Sequence, residues 1–431
     1  MGLFKRRKSN RVCIIGLDGV PYPMLQDLSQ RGVMPHIADL ISSGRLHAMK
    51  ASLPEISSVS WTDFMTGNNP GTHGIFGFTD LKPGSYDLRF PNFSDVKSAT
   101  IWDRLAQQGK KSIVINQPST YPARRISGVL ISGFVAIEMS KAVYPLKVKD
   151  ALDKIGYVID IDTLKAREDH DFLWRDLTRT LAGREKAWDL LWEEDWDLFE
   201  IVITGTDRVQ HFLWEAYTDS SHSFHQAFLD YYHKIDGLIR RISQSFERLT
   251  GSREGLFLLS DHGFTGIQQE VYLNVWLEQA GYLHFTTAEP KSLADLDSSS
   301  AAFAMDPNRI YIHTAGRYPR GQIDAGEKAA LKQELTARIK TLEHDGAPVV
   351  QEVFDAEQVY AGPLVASGPD LIVLGQPGFD MKGSVKKKQL FGRTQLQGMH
   401  TYENAFFWAV QDYGEDLRIS DLAEFIMGRF Q

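Results

Sequence analysis

The stretch Val12-Cys13-Ile14-Ile15-Gly16-Leu17-Asp18-Gly19 decides how the rest of the chain is read. A short, unbroken apolar run ended by an acid predicts a strand buried on both faces. Largely apolar runs return further on. Leu198–Ile203 leads into Thr204-Gly205-Thr206-Asp207, with His211 in the next turn, and Leu256–Leu259 runs into Ser260-Asp261-His262-Gly263. Another apolar run, Ala405–Ala409, follows shortly after His400. Helical periodicity fills the gaps. Leu25, Leu28, Ile37, Leu40 and Ile41 precede a stop at Gly44, Ile101, Trp102 and Leu105 precede Gly109, and Phe224, Phe228, Tyr231, Ile235, Leu238 and Ile242 form a long stripe. Strands alternating with helices predict an α/β fold, a mostly parallel central sheet sandwiched by helices.

Outward from these runs, the organisation is that of one α/β domain over residues 11–431. A basic flexible tail over 1–10 precedes it, with Lys5, Arg6, Arg7 and Lys8. The apolar run after the tail is too short for a membrane span or a signal-peptide core. Two segments, 117–183 and 265–350, lose the alternation and are expected as insertions or a cap. Neither contains a linker long enough to isolate a module, and no internal repeat is seen.

Composition narrows the class. Among 431 residues, 43% are hydrophobic and 24% charged, as in an ordinary globular protein. With 47 basic and 55 acidic residues the net charge is −8, which excludes a general role in coating nucleic acid or anionic membrane. Cys13 is the single cysteine, so there is no internal disulfide and no thiolate metal cluster. That fits a reducing, cytoplasmic setting.

The chemistry lies at the ends of the apolar runs, where open α/β sheets collect functional groups. If the chain turns helical after Asp207, His211 shares its face one turn on, and the two can grip one ion. Asp261 and His262 are adjacent, so in extended chain they point apart and can reach two ions. With Asp18 and His400 this makes three carboxylates and three imidazoles. Such a mixed oxygen and nitrogen set suits zinc, with manganese or iron as alternatives, rather than calcium or magnesium. A nucleophile is sought in Pro54-Glu55-Ile56-Ser57-Ser58-Val59-Ser60-Trp61, because a serine hydroxyl bound to a metal ionises near neutral pH. The plainer reading of that stretch is a loop in which Ser58 or Ser60 caps the helix that follows. His36, His73, His225 and His233 read as hydrogen-bonded structural residues.

Taken together, the motifs resemble the type I phosphodiesterase/nucleotide pyrophosphatase family of the alkaline phosphatase superfamily. The resemblance rests on Gly16-Leu17-Asp18-Gly19 and on Pro54-x-x-Ser57 followed by Thr66-Gly67-x-x-Pro70-x-x-His73-Gly74. It continues through Asp207-x-x-x-His211, Ser260-Asp261-His262-Gly263 and Gly398-x-His400. It implies an alkaline phosphatase-like fold with two divalent metal ions. Asp18, Asp261 and His262 would hold one together with Ser57, and Asp207, His211 and His400 the other. Ser57 would be the nucleophile, passing through a phosphoserine, with Ser58 as second choice. Where well-known nucleotide pyrophosphatases carry an asparagine after the nucleophile, this chain has Ser60, a shorter substrate-binding donor. A basic run, Lys382 to Lys388 with Arg393, reads as a solvated loop or a rim that gathers anions.

The resemblance implies a metal-dependent hydrolase of small phosphorylated substrates, phosphodiesters or nucleotide-type phosphoanhydrides. Alternatives within the superfamily are a phosphomonoesterase, a phosphonate hydrolase and a phosphomutase. A sulfatase is disfavoured, since the region of Ser57 lacks the sulfatase signature. A non-catalytic scaffold would be expected to have lost at least one of the six ligands.

Overall fold

β1 (Val12–Leu17) is buried along its whole length, as expected of a strand with sheet on both sides and helices over both faces. In the computed structural model, which describes residues 10–431, it lies near the middle of an eight-stranded sheet. Most of the basic tail therefore falls outside the described residues. The other strands are β2 (Arg45–Met49), β3 (Ser112–Gln117), β4 (Gly128–Ser132), β5 (Val143–Tyr144), β6 (Leu198–Ile203), β7 (Leu256–Leu259) and β8 (Ala405–Ala409). Their order is β2-β8-β7-β1-β6-β3-β4-β5. The strands from β7 to β4 run parallel; β8 pairs antiparallel with both β7 and the edge strand β2, and β5 pairs antiparallel with β4 at the other edge.

Register is what matters for function. Leu17 pairs with Ile203 and Gly16 with Leu259, so β1, β6 and β7 finish at nearly the same level. The residues that follow each strand emerge side by side.

The helices that concern the site are α1 (Tyr22–Gln30), α2 (Pro35–Ser43), α3 (Ser57–Thr66), α4 (His170–Leu191), α5 (Gly205–Thr218) and α6 (His225–Thr250). α3 is buried on every side, so it shows no amphipathic stripe. Gly16 makes room for it: a Cβ there would come within 2.6 Å of the Trp61 ring. α2 starts against α6, where Asp236 accepts the N–H groups of His36 and Ile37 at 3.0 and 2.9 Å. That carboxylate satisfies two of the donors every helix leaves open at its start.

The segment 117–183, expected as an insertion or cap, supplies β4 and β5 to the main sheet and most of α4. Its strands are short and lie at the sheet edge, which is why no βα rhythm shows there.

Two compact units emerge. The first holds the described residues up to Gly67, Ser98–Phe264 and His400–Gln431, and the second holds Asn68–Lys97 and Thr265–Met399. Residues 265–350 thus belong to the second unit, together with a segment from much earlier in the chain. That unit has a four-stranded antiparallel sheet made by Ala302–Met305, Arg309–Ile312, Leu371–Gly375 and Val350–Asp355. Phe303, Tyr311, Leu335 and Ile339 are in its core. In the basic run, Lys382 pairs with Asp380 at 2.6 Å and the Lys387 ammonium lies 4.8 Å from the Tyr272 ring centre. No helix among the described residues is long and apolar enough to cross a membrane.

Candidate metal centre

The aligned strand ends bring the predicted ligands together in the first unit. Asp18 leaves β1 and Asp261 leaves β7. The chain turns at Gly19, whose φ of +68° is costly for any residue with a Cβ. The Gly19 N–H donates to Asp261 Oδ1 at 3.0 Å, locking the two turns to each other. Past β6 the chain becomes α5 almost at once. Asp207 and His211 therefore sit one turn apart on one face, with His211 Nε2 3.3 Å from Asp207 Oδ1. His400 closes the set at 3.0 Å from His211 Nε2 and 3.2 Å from Asp207 Oδ1.

His262 stands between the groups. Its Nε2 lies 3.4 Å from Asp261 Oδ2, 3.6 Å from Asp18 Oδ1 and 4.0 Å from Asp207 Oδ1. Two ligand clusters result, Asp18 with Asp261 and His262, and Asp207 with His262 and His400. His211 joins the second by its short distances to Asp207 and His400. Both central imidazoles are oriented from behind. His262 donates Nδ1–H to the Gly263 carbonyl and His400 donates Nδ1–H to the Glu55 carbonyl, each at 3.0 Å. The proton is thus held on Nδ1, and the Nε2 lone pairs face the centre.

Ser57 is the first residue of α3, and its Oγ lies 3.1 Å from His262 Nε2 and 3.4 Å from Asp18 Oδ1. The helix cap is Ile56, which makes no side-chain cap bond, so neither Ser58 nor Ser60 caps it. Ser58 is 4% exposed and its hydroxyl has no partner among the described residues. Ser60, expected to meet substrate, is 0% exposed, and its hydroxyl accepts the Ser52 N–H at 3.3 Å. α3 is buried on every side, so Ser60 is enclosed like each of its other residues. His36, His73, His225 and His233 all hydrogen-bond within their own surroundings.

The charge pattern tests whether divalent ions suit this cluster. Burial pushes the Asp18 carboxyl well above the usual range, helped by the charges of Asp261 and Asp207. Asp261 is pushed up to about 7, first by burial and then by Asp207. Its Oδ2 is buried without a hydrogen-bond partner among the described residues. Asp207 goes the other way: burial raises it, but His211, His400 and Arg208 together hold it well below the usual range. Burial also lowers His262, and it lowers His400 to about 3, so both imidazoles are neutral donors of a lone pair. Crowded acids, one orphaned carboxylate oxygen and inward-facing imidazoles are what a pair of dications would satisfy. The residues fit.

Several contributors were not foreseen from sequence. Trp61 Nε1–H donates to Asp18 Oδ2 at 3.2 Å, and Thr206 Oγ1–H donates to the Asp18 carbonyl at 2.6 Å. Arg208 donates from Nη1 to Asp207 Oδ2 and from Nη2 to Asp160 Oδ2, both at 2.7 Å. Arg208 stood in plain view beside a ligand. Asp160 lies in the stretch without rhythm, where no local signal marks it.

Comparison with known proteins identifies the fold and the family. No curated protein sequence matches significantly. Phosphonoacetate hydrolase from Sinorhizobium meliloti 1021, solved with phosphonoacetate, superposes with a TM-score of 0.66 at 14% identity, over 98% of this chain and 96% of that one. Human ectonucleotide pyrophosphatase/phosphodiesterase 5 superposes with a TM-score of 0.55 at 12% identity, over 97% and 94%. At these identities the likeness establishes the shared fold. The sequence profile described as Type I phosphodiesterase / nucleotide pyrophosphatase matches residues 12–403. The chain therefore belongs to the type I phosphodiesterase/nucleotide pyrophosphatase family, phosphoric ester hydrolases of the alkaline phosphatase superfamily.

Proposed function

We propose that this chain hydrolyses small phosphodiesters or nucleotide-type phosphoanhydrides through a phosphoserine on Ser57. The observation that carries the reading is Ser57 Oγ, set 3.1 Å from His262 and 3.4 Å from Asp18, at the start of a ten-residue helix. The open N–H groups and positive end of that helix favour an anion, so a phosphoryl group is drawn to the nucleophile. Asp18, Asp261 and His262 would hold one divalent ion near Ser57, and Asp207, His211 and His400 the other. When bound, such ions supply Lewis-acid activation and neutralise phosphoryl charge, and this donor set favours zinc over manganese.

The chain's own residues do the rest. Ser57 Oγ forms the bond to phosphorus as the bond to the leaving oxygen breaks. Gly263 and Glu55 carbonyls hold the two imidazoles in the tautomer that keeps Nε2 free. Burial keeps bulk water from competing. Hydrolysis of the phosphoserine then regenerates the hydroxyl. The burial of Ser60 favours a second reading, phosphonate or phosphomonoester hydrolysis, because the position that grips phosphate in nucleotide pyrophosphatases has no open face here. A cytoplasmic, reducing setting fits a chain with a single cysteine, Cys13.

The test is an activity panel of bis(p-nitrophenyl) phosphate, p-nitrophenyl phosphate, a phosphonate and a nucleotide anhydride, with zinc and with manganese. Diester or anhydride turnover that vanishes with chelator is expected. Turnover that survives chelation, or full activity in Ser57→Ala, overturns the mechanism.

A further inference from the structure

Asp207 uses its two oxygens differently. Oδ1 faces the imidazoles, 3.2 Å from His400 Nε2 and 3.3 Å from His211 Nε2. Oδ2 accepts Arg208 Nη1–H at 2.7 Å. The guanidinium that does this is itself held on several sides. Its Nη2 and Nε donate to Asp160 Oδ2 at 2.7 and 3.1 Å, and its carbon sits 4.2 Å from the centre of the Phe134 ring. Asp160 is anchored in turn, with Oδ1 accepting the Ile161 N–H at 2.9 Å. Only 12% of the Arg208 side chain and 13% of Asp160 are exposed, so the pair is far less screened than a surface ion pair.

We infer that Arg208, braced by Asp160 and Phe134, is a positioning residue that occupies Asp207 Oδ2 and so presents Oδ1 alone to the ion held with His211 and His400. The planar fork makes this a directed contact: one edge is taken by Asp160, which aims the remaining nitrogen at Asp207. A carboxylate with both oxygens free could swing or bind through both. Partners behind a ligand commonly change metal affinity by about 10–100-fold. The inference rests on Asp207 being a ligand, as proposed above.

The experiment is zinc competition against a chromophoric chelator, reading both binding steps of the full-length protein and its variants. Asp207→Asn is the reference. Arg208→Met is expected to weaken one of the two ions about 10–100-fold and leave the other within about threefold. Asp160→Asn should weaken the same ion by less, and Arg208→Lys, which keeps the charge without the fork, should fall between Met and wild type. Turnover should recover at excess zinc. If Arg208→Met misfolds by circular dichroism, Asp160→Asn, nearly isosteric, carries the test. Unchanged zinc affinity in Asp160→Asn and Arg208→Met while Asp207→Asn weakens binding overturns the positioning role alone. So does a turnover loss that excess zinc cannot restore. If Asp207→Asn itself binds both ions normally, the ligand assignment is what fails.

Discussion

Strand β6 carries one buried acid in its middle and delivers another just past its end, and the two behave in opposite ways. Glu200 is 0% exposed, neither of its carboxylate oxygens has a hydrogen-bond partner among the described residues, and burial pushes its carboxyl up to about 8. Asp207 is almost as deep, at 2% exposure. Burial pushes it up too, yet His211, His400 and Arg208 hold it well below the ordinary range. Depth is therefore shared and company is not. Glu200 lies mid-strand, paired on both sides, so its side chain stands off one face of the sheet, where burial alone sets its charge state. Asp207 leaves the sheet at the level where β1 and β7 also end, and there polar groups from distant parts of the chain can converge. A buried acid becomes a site only where the fold supplies the counter-charges.

The contrast can be broken at several points. Asp207→Asn should cost most, about three orders of magnitude or more in kcat with one of two ions lost, read by steady-state turnover and elemental metal analysis. Ser57→Ala should cost a similar factor in kcat while both ions stay bound. If it instead sheds metal, Ser57 is a ligand first and a nucleophile second. Glu200→Gln is the converse, with turnover within about twofold of wild type but changed stability.

The sign follows from which state holds the proton. Between the ordinary value of 4.5 and about 8, the unfolded carboxyl is ionised while the folded one stays protonated. Stability therefore falls as pH rises through that window. The Gln variant removes this slope and should gain at most ~4 kcal/mol over wild type on going from pH 5 to pH 8 in urea unfolding. A parallel pH profile in the two proteins would show that Glu200 has found a partner. Trp61→Phe deletes the donor to Asp18 Oδ2 and should weaken metal binding by about tenfold, by the same chelator competition. Ser58→Ala should change turnover by no more than about threefold, and a large loss would reopen the choice of nucleophile.

Much of this contrast was legible in sequence, for a physical reason. Strands buried on both faces are apolar nearly throughout, so β1, β7 and β8 announce themselves and β6 does so despite Glu200, and an acid directly after such a run is conspicuous. Asp207 and His211 declare a shared helix face by spacing. The surroundings of Ser60 were not legible, because they depend on which way α3 turns each serine, and a helix buried all round has no polar face to reveal it. The Ile56 cap escaped for a related reason: a cap that makes no side-chain bond has no residue signature. Asp160 and Phe134 escaped because their partner, Arg208, lies far along the chain, and nothing local requires an acid or a ring at those positions.

The sequence by itself determined four strands of the sheet (β1, β6, β7 and β8), its longer helical stripes, the identity of the candidate ligands and the serine to test. These follow from short-range rules of burial and periodicity. Only the tertiary structure decided that three strand ends lie level, that Asp207 divides its oxygens between imidazoles and an arginine, and that Ser60 is sealed inside. Those are outcomes of packing between residues far apart in the chain, and no local pattern encodes distances of that kind.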